Sequence, residues 1–304
     1  MRATSVPQTV FTVVVFVALA GYAFVGGSFG LDLITKIMIY AIFALSLELI
    51  AGGVGLVSFG HAAYFGIGAY AAVLLTPKDG AASLVLLLPA AVCAAALYAL
   101  AVGALSLRTR GVYFIMVTLA FAQMVFFLFL ALKAYGGDDG LTFRRRNILF
   151  DFNMRDDATF FYVTLGFLLV WLAICARVLH SRFGLLLGGI RQNERRMQAV
   201  GMSVFRFRLA AFALSGAICA LAGALLIVIQ PVEPSVGREY IGRVFAICVL
   251  GGLQSLPGTV IAAILLGIVE SITATFYGPS WAPAVAFGFL LLTLAFRPAG
   301  LLGR

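Results

Sequence analysis

The groups able to do chemistry in this chain are a few polar side chains set within long apolar runs. Glu48 lies inside one run, four positions before Gly52, and the cluster Gly52, Gly53, Gly55 is followed by Ser58 and His61. Gln123 lies in a second run and Glu270 in a third. Ionisable side chains in a hydrocarbon setting are costly, which makes each a candidate for solute contact or for a network between helices. A carboxylate at 48 can meet a solute ammonium, or it can hold backbone N–H groups such as those at the start of the next helix near Ser58. His61 suits packing and hydrogen bonding better than ligand or proton duty. Gln123 can bridge helices without a charge penalty or face a solute path, and Glu270 is near enough to the end of its run to be hydrated. The glycine-rich turn 52–60 reads either as close helix packing or as a helix break near mid-membrane that offers backbone groups to a solute. The candidate pathway set is Glu48, Gly52, Gly53, Gly55, Ser58, His61 and Gln123.

Other chemistries leave no trace in the sequence. There is no G-x-x-x-x-G-K-[ST] phosphate loop, no H-E-x-x-H metal pair and no G-x-S-x-G nucleophile elbow. Cys93, Cys175, Cys219 and Cys248 fall in apolar runs without a CxxC pair, as packing residues do, so neither a disulfide framework nor a metal site is expected. No catalytic set can be assembled. The chain therefore reads as a non-enzyme without a cofactor of its own.

The elements that must position these residues are transmembrane helices. Hydrophobic residues make up 63% of the 304 positions and charged residues 11%, far from the composition of soluble domains. Continuous apolar runs, rather than alternating ten-residue strands, exclude a β-barrel and leave an all-α bundle. The runs lie at about 8–28, 33–51, 57–75, 83–106, 112–132, 159–180, 209–230, 241–253, 258–277 and 282–297. At about 20 residues per crossing they give roughly eight to ten spans in a single transmembrane domain over 1–304. The glycine-bearing run 57–75 and the short run 241–253 are the candidates for broken or re-entrant helices. The first run, with Arg2 before it and the triplet Ala18-Leu19-Ala20 within it, also resembles a secretory signal peptide. Its apolar character continues through Tyr22, Phe24 and Val25, which favours a retained first helix.

Charge sets the orientation. The excess of 21 Lys+Arg over 12 Asp+Glu would suggest a nucleic-acid partner in a soluble protein, whereas in a membrane protein it reflects cytoplasmic loops. Segment 181–208 carries Arg182, Arg191, Arg195, Arg196, Arg206 and Arg208 against Glu194 alone, so it is expected in the cytoplasm. Segment 134–158 offsets its arginines with Asp138, Asp139, Asp151, Asp156 and Asp157 and is expected outside. Counting spans from this anchor puts Arg2, Arg108, Arg110, Arg297 and Arg304 inside. Within 181–208, the stretch Ile190 to Gly201 reads as one helix closed by glycine. Its mixed face, with Ile190, Met197 and Val200 as apolar anchors and a basic rim, suits docking into a groove of a partner, or arginines lying against anionic lipid headgroups.

With these residues in view, the segment from Ser181 to Leu225 resembles the coupling region of the LivM-type permeases of branched-chain amino acid ABC importers. Ser58-Phe59-Gly60-His61-Ala62-Ala63-Tyr64-Phe65-Gly66-Ile67-Gly68-Ala69-Tyr70 resembles that family's early glycine-rich signature, and Arg110-Gly111-Val112-Tyr113-Phe114 through Gln123 resembles its middle helix. Gly136-Gly137-Asp138-Asp139-Gly140-Leu141, Leu250-Gly251-Gly252-Leu253 and Arg297-Pro298-Ala299-Gly300-Leu301 also fit, so the resemblance runs from about residue 35 to the end. There are departures: Arg195, with Glu194 before it, stands where the coupling signature of importers places Glu; Tyr135 stands where Thr is common; and Gln254 and Thr259 stand where Gly and Pro are frequent.

The resemblance implies a multi-pass permease subunit of the bacterial inner membrane. It implies import of small polar solutes, most directly branched-chain or related amino acids, by alternating access. It further implies a second related permease subunit, ATP-binding cassette subunits that bind the ATP, and an extracytoplasmic solute-binding protein. Arg191, Glu194, Arg195, Arg196, Met197, Val200 and Gly201 are the candidate coupling residues. The same family includes urea and short-amide permeases. A secondary transporter, the alternative of another class, would show paired intramembrane charges in inverted repeats, and here the membrane charges look sparse.

Overall fold

The computed structural model describes residues 16, 19–22, 27–76, 83–132, 137, 140, 148–149, 152–153 and 156–303. Most of the apolar run 8–28, with Arg2 and the question of a signal peptide, lies outside the described residues, as does most of segment 134–158.

Helix dominates because it satisfies its own backbone where no water is available. The helices are α1 (Ser28–Ala51), α2 (His61–Leu75), α3 (Leu84–Ser106), α4 (Val112–Ala131), α5 (Asp157–His180), α6 (Arg182–Gln192), α7 (Glu194–Ala199), α8 (Val204–Leu226), α9 (Val236–Gly251), α10 (Leu256–Tyr277) and α11 (Ala282–Phe296). A two-residue antiparallel pairing, Ile148–Leu149 with Phe152–Asn153, precedes α5. Six helices, α1, α3, α4, α5, α8 and α10, are long and apolar enough to cross a membrane. The polytopic bundle is as expected, with these six helices of spanning length among the described residues and the shorter α2, α9 and α11 beside them.

Two of these helices form the centre. Nearly all of α1 from Ile37 to Ala51, and of α8 from Ser215 to Leu226, is buried. Small residues let the backbones approach: a side chain on Gly68 of α2 would strike the carbonyl of Ala220, and one on Gly223 would strike that of Phe65. Gly216, Ala220 and Ala224, four residues apart on α8, are buried in the same stretch and serve close packing. The outer helices α3, α4, α10 and α11 turn large apolar side chains outward, among them Leu97, Phe127, Phe276 and Leu291. Such a surface is stable against hydrocarbon and not against water.

Charged and loop elements collect at one end of this bundle, here named the loop end. Asp156 caps the far end of α5 by accepting from the Thr159 N–H at 3.0 Å, and α5 then delivers the chain to Ser181. Segment 181–208 and the end of the acidic segment, Asp156 and Asp157, therefore sit at opposite ends of one helix. At the loop end, Glu194 pairs with Arg110 at 3.3 Å and with Arg208 at 3.2 Å.

Two helices begin in mid-bundle. Helix α1 ends at the loop end, where Gly53 faces Leu179 near the end of α5, and residues 55–58 then run back inward without helical structure. Helix α2 starts at His61, beside Ser215 at the centre of α8. Its 15 residues span about 22 Å, short of the roughly 30 Å of a hydrocarbon core. The break expected at mid-membrane thus opens at the loop end, and only its second half reaches the middle. Helix α9 starts comparably deep: its Tyr240 ring lies 5.0 Å from that of Tyr40, near the middle of α1, and Gly237 abuts the carbonyl of Ala62. The N-terminal turns of α2 and α9 lie side by side and run in opposite directions.

Candidate functional site

The loop end gathers three chain breaks. The first follows α1, where the Gly52 N–H bonds the Glu48 carbonyl at 2.7 Å and Gly55 takes a φ of 80°. The second joins α9 to α10 through Gly252, with φ 90°, and Gln254, whose φ of 79° is a left-handed conformation uncommon for a residue with a side chain. The third is the terminal segment, which folds back so that the N–H groups of Leu301 and Leu302 bond the carbonyls of Leu250 and Gly251 at 2.8 and 3.2 Å. Those carbonyls belong to the last turn of α9 and would otherwise be left without helical partners. The motifs Leu250-Gly251-Gly252-Leu253 and Arg297-Pro298-Ala299-Gly300-Leu301 are therefore one unit. Gly252 has no room for a side chain because Ala299 and Gly303 lie against it.

Glu48 and Arg191 tie these breaks together. Glu48 is buried, and its Oε1 accepts from the backbone N–H of Gln254, while among the described residues no hydrogen-bond partner reaches Oε2. Arg191, on the last turn of α6, donates from Nη1 to the carbonyl of Gly52 at 2.6 Å. With the Gln254 amide turned so that its oxygen faces the guanidinium, Nη1 and Nη2 donate to it at 2.8 and 3.1 Å. The arginine stem lies against Gly55. A loop residue and a membrane carboxylate thus grip the same turn from two sides, and Gln254 holds its strained φ between them. The N–H that Glu48 meets belongs to this second break, not to the start of α2 near Ser58.

The other expected pathway residues do not converge on Glu48. The Ser58 hydroxyl accepts from the Gly60 N–H at 3.2 Å, which shapes the entry to α2. The His61 Nε2 lies 2.6 Å from the Ser215 hydroxyl, which itself donates to the Ser46 carbonyl at 2.5 Å. His61 therefore donates from Nε2 and links α2 to α8 and α1. Gln123 sits apart on α4, in a narrow cleft against α2 and α9.

The expected single helix 190–201 is two. Asn193 takes an extended conformation between α6 and α7, and its Oδ1 caps α7 by accepting from the Arg196 N–H at 2.9 Å. Of the expected apolar anchors, Ile190 is buried in the bundle, Met197 covers Gly189, and Val200 is exposed. Arg195 and Arg196 project outward. Gly201 closes the unit as a left-handed cap with φ 84°, its N–H bonding the Gln198 carbonyl at 2.9 Å and that of Met202 bonding the Met197 carbonyl at 3.1 Å.

Several residues of this architecture are hard to read from sequence. Arg238 and Glu239 precede the apolar run 241–253 and Arg243 interrupts it, so they look like loop, yet α9 begins at Val236 and holds all three on helix. Arg243 pairs with Glu239 at 3.4 Å and with Glu270 at 3.6 Å, so Glu270 is partnered by a neighbouring helix. Gln254 did leave a signal, since the family resemblance places Gly at this position, and a φ of 79° is a conformation that suits glycine.

A bundle of apolar helices, two of them starting in mid-membrane and bound at one end to a basic loop, defines a multi-pass membrane protein of the transport type. The family described as branched-chain amino acid transport system, permease component, matches residues 29–294. Among curated proteins, the chain is 28% identical to the high-affinity branched-chain amino acid transport system permease protein LivM of Escherichia coli (strain K12), over 98% of this chain and 76% of that one. It is 26% identical to BraD of Pseudomonas aeruginosa, over 87% of this chain and 92% of that one. It is also 30% identical to the LivH permease of Escherichia coli (strain K12), over 45% and 44% of the two chains. No solved structure matches. The chain belongs to the permease-component family of branched-chain amino acid transport systems, and is a multi-pass protein of the inner membrane.

Proposed function

We propose that this permease imports branched-chain or related amino acids, with separate ATP-binding cassette subunits docking on the cytoplasmic segment 181–208. The observation that carries the reading is the bond from Arg191 to Gly52, because it joins the segment suited to docking directly to the break that leads into α2. Movement imposed on α6 and α7 is then felt at the breaks of both mid-bundle helices through Gly52 and Gln254. Exposed Val200 and the outward arginines Arg195 and Arg196 supply the docking contacts, Glu194 is held by Arg110 and Arg208 as a brace, and Gly201 ends the unit. Resemblance to both LivM and LivH supports a second, related permease chain as partner. An extracytoplasmic binding protein delivers the solute from the side of segment 134–158, and ATP is bound by the partner subunits.

The test is reconstitution of this chain with a second permease, ATP-binding subunits and a binding protein from the same organism. Uptake of leucine by proteoliposomes should require ATP on the side of segment 181–208. Uptake that persists without ATP-binding subunits and follows an ion gradient instead would overturn the proposal.

A further inference from the structure

The cleft that holds Gln123 is lined from three helices: Ala62, Ala63 and Gly66 of α2, Leu119 and Phe126 of α4, and Arg238 and Ile241 of α9. Arg238 follows Gly237, which abuts the carbonyl of Ala62, and Ala62 follows His61 at the level of Ser215, so this arginine stands near the middle of the bundle. An arginine at that depth is costly unless it has an anion or faces a water-filled path. Among the described residues Arg238 makes no ion pair; its guanidinium lies 4.5 Å from the Phe126 ring centre, at the cleft. The adjacent acid, Glu239, is committed to Arg243.

We infer that this cleft holds the solute in mid-membrane, with Arg238 binding its carboxylate and Leu119, Phe126 and Ile241 receiving its aliphatic body. The inference rests on the amino-acid-importer reading and goes beyond it by naming the site. The N-terminal turns of α2 and α9 border the cleft, and their partial positive charges reinforce the preference for an anion set by Arg238. Gln123 supplies a polar wall opposite, able to donate and to accept. The remaining walls are apolar, which matches a ligand with one charged end and a branched hydrocarbon body. Arg238 is exposed on the single chain, so its guanidinium is open to a solute. The cleft is narrow as it stands, and α4, which packs mainly against α2 and α3, is the wall that would have to move for a solute to enter.

The experiment uses the complete reconstituted importer. Arg238→Gln should lower initial leucine uptake about tenfold or more, the loss expected for a charged contact to a ligand, with Arg238→Lys recovering part of it. Co-purification of the ATP-binding subunits with the Arg238→Gln chain should match the parent, because the docking surface is untouched. In nanodiscs, a tryptophan reporter, Leu119→Trp, should change emission with leucine and with 4-methylpentanoate, but not with leucinol, and should lose the response when combined with Arg238→Gln. Uptake by Arg238→Gln within about twofold of the parent would overturn the inference. So would a reporter that answers to exchange of phosphatidylglycerol for phosphatidylcholine but not to leucine or 4-methylpentanoate, since the cleft would then be a lipid-phosphate site. If the parent importer shows no ATP-driven leucine uptake, the functional reading fails by itself, while the response of the tryptophan reporter to 4-methylpentanoate and leucinol still decides the site.

Discussion

Replacing Arg191 by alanine should release segment 181–208 from the membrane breaks. Arg191 has two acceptors, the Gly52 carbonyl at 2.6 Å and, with the amide turned, the Gln254 side chain at 2.8 and 3.1 Å. Hydrogen bonds from a charged donor contribute roughly 1.5–3 kcal/mol each, and the exposure of this side chain places them at the lower end. After a discount for water replacing part of the contact, about 2 kcal/mol remains, which shifts the clasped-to-released equilibrium about thirtyfold. The protein should still fold and insert, because the bundle centre lies elsewhere. What should fall is uptake per ATP hydrolysed, measured in proteoliposomes holding the full importer. Arg191→Lys keeps the charge and loses the planar fork, so an intermediate value is expected. Combining Arg191→Ala with Gln254→Ala should add little to the first change, since both remove the same contact. A full uptake-to-ATP ratio in Arg191→Ala, or fully additive losses in the double variant, would refute the clasp.

Glu48→Gln preserves an acceptor for the Gln254 N–H and removes the charge, so a severalfold fall in uptake with intact assembly is expected, whereas Glu48→Leu also strips the acceptor and should lower stability in detergent by about 1–3 kcal/mol. Equal thermal stability of the leucine variant and the parent would count against the brace. Gly201→Val places a branched side chain at φ 84°, a strain of about 1–2 kcal/mol, and should weaken co-purification of the ATP-binding subunits while insertion persists; undiminished co-purification and uptake would dismiss the docking role. Cysteines at Gln192 or Gln198 should resist impermeant thiol reagents in intact cells and react in inverted vesicles, and the reverse pattern would invert the topology. Gly252→Val meets both a φ of 90° and the backbone of Ala299 and Gly303, so the terminal segment should detach and become open to added protease; protection equal to that of the parent would show that the tail is held by other means.

Much of the bundle was legible in the sequence, because lipid imposes one rule on every segment: an apolar run must form helix to satisfy its backbone. That rule gives the all-α class and the multi-span bundle, and the arginine bias singles out 181–208. It also fixes the left-handed cap at Gly201, since a glycine that closes a polar helix is a local signal. Where α9 begins was not legible, because Arg238, Glu239 and Arg243 break the apolar pattern. Two of these charges are tolerated at depth only because they find each other and Glu270, and that pairing depends on how three helices cross. The division of 190–201 at Asn193 was missed for a related reason: burial of Ile190 in the bundle turns α6 away from α7, and no local periodicity records it.

The sequence named Glu48, Gly52 and Arg191 separately, two as pathway and one as coupling, and the fold made them neighbours through Gln254. Residue type and spacing can say that a buried carboxylate needs a donor and that a glycine turn leaves carbonyls free. They cannot say which distant segment supplies the partner, because that pairing spans more than a hundred positions and is set by the packing of α1 against α9 and α10. Gln123 and Arg238 follow the same logic at the other site. Each is polar by sequence alone, and only the side-by-side meeting of the first turns of α2 and α9 brings them to one cleft.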